Sequence, residues 1–499
     1  MLKEKILPLV PMEQIDNKLV IRCPSPLVLE RVTDYLTFLR ITWERDRSRF
    51  FKLETPEPCY TVSPVDPYKI VCPAGFETML VERFRDTFEF SISRTRSERV
   101  GLRTRPDWSQ VDENEFRDGQ WEMFRAMAGA DRGRIVVATA VGKLFLIVQY
   151  AKLMPQARIV VSTHSKQVLI QIYETLRDVF GDDVGLLNGS KKTNRQARIL
   201  CISQGTLYSF LDDPDSEIDV LLVDEYHEWG SLKRLAVLDA VRDARMLGLS
   251  ASDERDDKAE FRLNGYFGPI VAEMDYAEAV KRDLISPICV VWVPIRSDRD
   301  PVDVYLSPWD RARFGIWRYD KRNRAIADAA RLFGDDEQIL ISVKTIEHAL
   351  FLRKYFLPEF TAIYAPKSGD DPGMRSFESM GLLDDVPRMT EERLLSLKHQ
   401  FAEGTLKKAI STKVWSQGMN FNSLRVLIRA DGMNSTVADT QWPGRLSRLK
   451  EDNKVGLLFD FTDEHHDLFW NKAIQRQKRY EKHQWRQIML HKLQEIMSG

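Results

Sequence analysis

Cysteine is scarce, and its spacing builds nothing. Cys23, Cys59, Cys72, Cys201 and Cys289 form no C-x-x-C pair and no even-numbered framework, which argues against a disulfide scaffold and a structural zinc and points to a reducing compartment. Surplus charge is missing too. The 73 Lys and Arg face 74 Asp and Glu, a net of −1, so affinity for a polyanion must come from local basic patches. There is no uninterrupted apolar run of about 18 residues and no charged-then-apolar leader, so neither membrane spanning nor secretion is expected. A cytoplasmic location, in a bacterium or an infected host, is the expectation. One further absence concerns chemistry. The stretch "RIVVATAVGKLFLIV", Arg134 to Val148, is laid out as strand, phosphate loop and helix. After Gly142-Lys143, where such a loop carries the Ser or Thr that ligates Mg²⁺, stands Leu144.

What is present is a long chain of ordinary globular composition. Its 499 residues, 43% hydrophobic and 29% charged, exceed what one core of roughly 250–300 residues accommodates, so several domains are expected. Residues 1–110 read as a small α/β accessory unit, with strand-like "KLVIRC" and "YKIVC" each followed by a helical pattern. The echo between "VIRCPSPLVLERVTDYL" and "KIVCPAGFETMLVERFRD" suggests two β-α-β-type halves. "SRTRSERVGLRTRPDWSQ", Ser93 to Gln110, reads as an arginine-rich connector. Residues 111–282 and 283–470 each alternate apolar strands with helical segments, which predicts two parallel, doubly wound sheets. Residues 471–499 read as a basic helical tail, with Lys472, Arg476, Lys478, Arg479, Lys482 and Arg486 either touching nucleic acid or facing solvent.

The candidate chemistry sits at strand ends. Gly142 lets backbone amides close on a phosphate at the start of a helix, and Lys143 supplies a point charge. In "VLLVDEYHEWG", Asp224 and Glu225 end an apolar strand, where a parallel sheet exposes its ligand-binding edge. There Asp224 would hold Mg²⁺ and Glu225 would orient an attacking water. Ser250 and Ser252 of "GLSAS" are candidate hydroxyl couplers. Gln441, Arg445 and Arg448 of "QWPGRLSR" are spaced to reach a γ-phosphate from a second domain.

The order of these segments resembles the superfamily 2 helicases over residues 113–465. "FRDGQ" is similar to the segment whose glutamine, here Gln120, reads adenine, although Gly119 replaces its usual aromatic. "ATAVGKL" resembles motif I, comprising Thr139, Ala140, Val141, Gly142, Lys143 and Leu144. "VSTHSKQVLIQ" resembles motif Ia, "CISQGTL" the next strand-contacting motif, "DEYH" motif II, "LSAS" motif III, "ISTKVWSQGMNFN" motif V and "QWPGRLSR" motif VI. In layout the chain looks most like the phage UvsW-type branch-migration DNA helicases.

The resemblance implies two RecA-like lobes using ATP and Mg²⁺, with Lys143, Asp224, Glu225, Gln441, Arg445 and Arg448 catalytic. It also implies backbone contacts to DNA from Thr163, Ser203, Thr206 and Thr412. Duplex, forked or branched DNA would be the substrate, in repair or recombination beside other replication or recombination proteins. Ala140, Leu144 and Asn420 depart from the family pattern. They leave open an alternative, a weakly hydrolysing pseudohelicase or the motor subunit of a larger DNA-processing complex.

Overall fold

The computed structural model describes residues 7–46, 49–95, 98–189, 191–213, 216–253, 257–302, 307–368, 370–415, 421, 424–434, 443–447 and 455–498. The chain divides into two compact units, residues 1–138 with 142–274, and residues 139–141 with 275–499.

The first unit begins with seven strands: β1 (Leu9–Ile15), β2 (Lys18–Arg22), β3 (Thr37–Asp46), β4 (Arg49–Pro58), β5 (Thr61–Val62), β6 (Lys69–Pro73) and β7 (Glu89–Thr95). Five of them form a sheet in the order β5-β6-β2-β1-β7, while β3 and β4 pair only with each other as a long hairpin. Along β1, buried Val10 and Met12 alternate with exposed Leu9 and Pro11, the period of a sheet covered on one face. The cover comes from helix Pro26–Tyr35, burying Val28 and Val32 one turn apart, and helix Phe76–Phe84, burying Phe76, Leu80 and Phe84.

The two expected β-α-β halves are only half present. β6, its helix and β7 make a crossover, since β7 lies parallel to β1 and β6 pairs antiparallel with β2. The first half runs into the β3–β4 hairpin instead. The stretch expected as a connector is also packed. Ser93–Thr95 belong to β7, residues Glu98–Arg103 form a helix, Val100 and Thr104 are buried, and the Asp107 amide donates to the Leu153 carbonyl at 2.8 Å.

The larger sheet of this unit comprises β8 (Arg132–Val137), β9 (Ile159–Thr163), β10 (Val184–Asn188), β11 (Lys191–Thr193), β12 (Ile199–Ser203), β13 (Val220–Asp224), β14 (Arg245–Ser250) and β15 (Ile270–Met274). Its order is β11-β10-β12-β9-β13-β14-β8-β15, and apart from β10–β11 all neighbours are parallel. Helices cover both faces, so β9, β10, β12 and β13 are buried at every residue and read as unbroken apolar runs.

The second unit holds a parallel sheet of β16 (Ile288–Val293), β17 (Ile339–Ser342), β18 (Thr361–Ile363), β19 (Lys408–Ser411), β20 (Val426–Arg429), β21 (Gly456–Phe461) and β22 (Arg486–Met489), in the order β18-β19-β17-β20-β21-β16-β22. The tail is mainly helical, as expected, with the four-residue β22 between its two helices. Helix Asp467–Lys482 leads back to a strand that extends the sheet beside β16 before the final helix Leu490–Ser498. Arg476, read as part of an exposed basic face, is fully buried and binds both carboxylate oxygens of Asp460 at 2.9 Å.

Candidate active site

Parallel strands place their carboxyl ends along one edge of a sheet, so residues far apart in sequence meet there. After β8 the chain turns through two left-handed residues, Ala140 with φ 72° and Gly142 with φ 116°. The first is strained, because a Cβ disfavours that region. At the second, glycine is required twice over. A Cβ would also lie 2.8 Å from Gln120 Nε2 and 3.3 Å from an Arg117 guanidinium nitrogen. Gln120, buried and accepting the Arg117 amide at 2.9 Å, is thus brought against the loop at Gly142. Helix Lys143–Leu153 starts on Gly142 with no side-chain cap, leaving its first-turn amides suited to an anion. Leu144 is half-buried in that turn, and the neighbouring Phe145 ring packs 5.0 Å from Phe116.

The acids arrive from the next strand but one. β13 lies between β9 and β14 and ends on Asp224, after which Glu225 takes a left-handed φ of 52°. Lys143 Nζ then lies 2.5 Å from Glu225 Oε1 and 3.7 Å from Asp224 Oδ1. Burial raises the Asp224 carboxyl to about 6, against the pull of Lys143. Burial acts the same way on Glu225, but there Lys143 and His227 outweigh it and hold the carboxyl below its ordinary range. For the Lys143 ammonium, desolvation is outweighed by the two carboxylates, which raise its pKa. Asp224 Oδ1 is buried without a hydrogen-bond partner, an orphaned acceptor of the kind that a hard cation would satisfy. Among the described residues no group of three or more His, Cys, Asp or Glu could hold a metal ion.

The turn after Glu225 is braced from β14 and β8. His227 Nδ1 lies 2.7 Å from Ser250 Oγ, and that hydroxyl donates to the Ser252 carbonyl at 2.6 Å. The imidazole therefore donates through Nδ1. The Tyr226 hydroxyl donates to Asp253, which also receives Arg134 at 2.6 and 2.7 Å. Gly248 makes room for this, since a Cβ there would press on the Tyr226 ring at 2.9 Å.

Thr163 and Ser203 end β9 and β12 on the same sheet edge, both buried. The Ser203 hydroxyl is 2.9 Å from Thr206 Oγ1, which accepts the Gly189 amide at 3.1 Å. In the second unit Thr412 follows β19 and donates its amide to the Ile363 carbonyl at 3.0 Å. Arg445, in the short turn Pro443–Arg445, is buried with its guanidinium 5.5 Å from the Phe421 ring centroid. Gln441, Arg448 and Asn420 lie outside the described residues. Sequence reasoning did not single out Arg134 or Asp253, and gave Tyr226 and His227 no role beyond their place in "DEYH". The available signal was Arg134, a charged residue inside an apolar strand, which demands a buried partner.

Residues 113–255 match a family model described as "Type III restriction enzyme, res subunit". Over 268 residues the chain is 23% identical to "Putative helicase 22" of Sulfolobus islandicus filamentous virus (isolate Iceland/Hveragerdi), a match covering 52% of this chain and 44% of that protein. Over 160 residues it is 26% identical to "DNA 3'-5' translocase XPB2" of Sulfurisphaera tokodaii, covering 32% of this chain and 36% of that one. The chain thus spans less than half the length of these curated relatives. Its fold is similar to that of S. cerevisiae Dbp5 bound to RNA and ADP BeF3, at 13% identity and a TM-score of 0.51, over 75% of this chain and 91% of that one. Together these findings support a superfamily 2 helicase assignment, with the two parallel sheets as RecA-like lobes. Among the described residues no helix is long and apolar enough to cross a membrane.

Proposed function

We propose that the chain is an ATP-dependent DNA helicase or translocase that unwinds or remodels duplex, forked or branched DNA. The observation that carries this reading is Lys143 held between Glu225 and Asp224 at the carboxyl edge of the sheet, 2.5 and 3.7 Å from their oxygens. With nucleotide bound, Lys143 would exchange its carboxylate partners for phosphate oxygens, and Gln120 would meet the base. Freed of Lys143, Glu225 would orient the attacking water, and Asp224 would hold Mg²⁺, whose charge supports the transferring phosphoryl group. Arg445 is proposed to stabilise the same charge, with Gln441 and Arg448 as its companions. Thr163, Ser203, Thr206 and Thr412 are proposed to meet the DNA backbone, giving salt-sensitive binding without sequence preference. The layout likeness to UvsW-type helicases favours branched substrates and a place in repair or recombination.

A second reading, the motor subunit of a larger DNA-processing complex, is favoured by the family description of residues 113–255. A weakly hydrolysing pseudohelicase is favoured by Leu144. ATP turnover measured alone and with single-stranded, duplex and forked DNA tests all three. Strong stimulation by forked or duplex DNA supports the helicase reading, while turnover that stays near zero on every DNA refutes it.

A further inference from the structure

A carboxylate that orients an attacking water has to be held in one direction, because a small misplacement removes much of the rate. In this structure Lys143 Nζ does the holding, 2.5 Å from Glu225 Oε1, while Oε2 is buried and has no hydrogen-bond partner. If Lys143 turns to phosphate oxygens, the carboxylate loses that hydrogen bond at the moment it is needed. His227 does not replace it. Its Nδ1 stands 3.4 Å from Glu225 Oε2 but gives its proton to Ser250 Oγ at 2.7 Å.

The side chain placed to succeed the lysine is His164. β9 runs beside β13 with Ser162 opposite Val223, so Thr163 ends its strand level with Asp224, and His164 leaves the sheet edge where Glu225 does. The backbone of His164 is fixed on both sides. β9 precedes it, and Ser165 after it caps helix Lys166–Phe180 by accepting the Val168 amide at 3.5 Å. Both ring nitrogens of His164 are buried without a hydrogen-bond partner, as is the Thr163 hydroxyl before it. Leaving buried polar atoms unsatisfied costs free energy, and an imidazole in either tautomer keeps one N–H to donate. The two groups already feel each other. Burial pushes the Glu225 carboxyl up, and Lys143, His227 and also His164 draw it below its ordinary range. An acceptor without a donor, Glu225 Oε2, and a donor without an acceptor, the His164 ring, thus stand at the ends of neighbouring strands.

We infer that His164 is a positioning residue that takes Glu225 over from Lys143: when the lysine turns to the phosphates, an imidazole N–H donates to Glu225 Oε2 and fixes the carboxylate on the attacking water. This rests on the reading of the chain as an ATP-hydrolysing motor and adds a residue to its hydrolytic step. The test uses the full chain with ATP, Mg²⁺ and saturating forked DNA. His164→Ala should lower kcat by about 10-fold to 100-fold, the worth of one charge-assisted hydrogen bond, with the KM for ATP within about twofold of the parent. The side-chain amides of His164→Asn and His164→Gln stand in for Nδ1–H and Nε2–H, and one of the two should recover most of the lost kcat. Because the effect runs through the carboxylate, His164→Ala should change the residual turnover of Glu225→Ala by less than about twofold. A kcat for His164→Ala within twofold of the parent would overturn the inference. So would a raised KM at unchanged kcat, recovery by neither amide, or an equal loss with and without the Glu225 carboxylate. A parent protein with no turnover on any DNA refutes the motor reading itself, whereas a parent that hydrolyses ATP and is indifferent to His164 leaves that reading standing and removes only this residue.

Discussion

Asp253 and Arg134 should respond very differently to removal. Arg134 is the buried partner, its side chain 6% exposed against 23% for Asp253. It gives both charge-assisted bonds to Asp253 and one bond, at 2.8 Å, to the Gly268 carbonyl. Asp253→Ala would leave a guanidinium in the interior without its carboxylate, a loss of about 3–5 kcal/mol for a buried charge deprived of its counterion. Arg134→Met fills a similar volume with apolar atoms and leaves Asp253 with solvent and the Tyr226 hydroxyl. Its cost should be nearer 1–2 kcal/mol, the scale of lost hydrogen bonds. Urea unfolding of the two variants, followed by tryptophan fluorescence, reads both values. Because Tyr226 follows the left-handed Glu225 directly, Asp253→Ala should also depress ATP turnover more than nucleotide affinity. If Asp253→Ala costs no more than Arg134→Met, or if each costs under about 1 kcal/mol, the pair is not the brace described above.

Lys143→Ala should abolish ATP turnover, checked by phosphate release at saturating nucleotide. Leu144→Thr should add a direct oxygen ligand for Mg²⁺ and raise turnover at low Mg²⁺; a parent enzyme already fast at low Mg²⁺ and slowed by the change would contradict this. Arg445→Ala should lower kcat by about 10³-fold with nucleotide affinity little changed, the behaviour of a group acting on transition-state charge. In the second lobe His348 is fully buried, with Nε2 3.1 Å from Asn323 Oδ1. Burial, reinforced by Arg322, holds its pKa well below 6.5. The unfolded imidazole therefore takes up a proton that the folded one refuses, and stability falls as pH drops below about 6.5, by about 1.4 kcal/mol per unit. His348→Gln should remove that slope from unfolding measured between pH 5 and 7.

The lobes were legible because a strand buried on both faces must be apolar at every position, and "RILCIS" and "DVLLVDE" carry that signature without a partner being known. The weaker elements lacked it. β22, four residues at a sheet edge reading "RQIM", has a polar half and follows a helix without Gly or Pro, so it merged with the tail. The β3–β4 arms mix charged and apolar residues on both faces, since no core selects one face over the other.

Parallel topology also explains why the candidate site was visible in one dimension. When every strand runs the same way, each motif at a strand's carboxyl end reaches the same edge, so Lys143 after β8 and Asp224 at the end of β13 converge although about eighty residues separate them. Side-chain pairing across that edge does not follow from order alone. Lys143 lies closer to Glu225, at 2.5 Å, than to Asp224, at 3.7 Å, with Glu225 in a left-handed turn. That turn is supported by Tyr226, which needs Gly248 on β14, Asp253 in the loop after β14 and Arg134 on β8. A local reading places the acids at the edge, and how closely each approaches the lysine depends on long-range contacts around Tyr226.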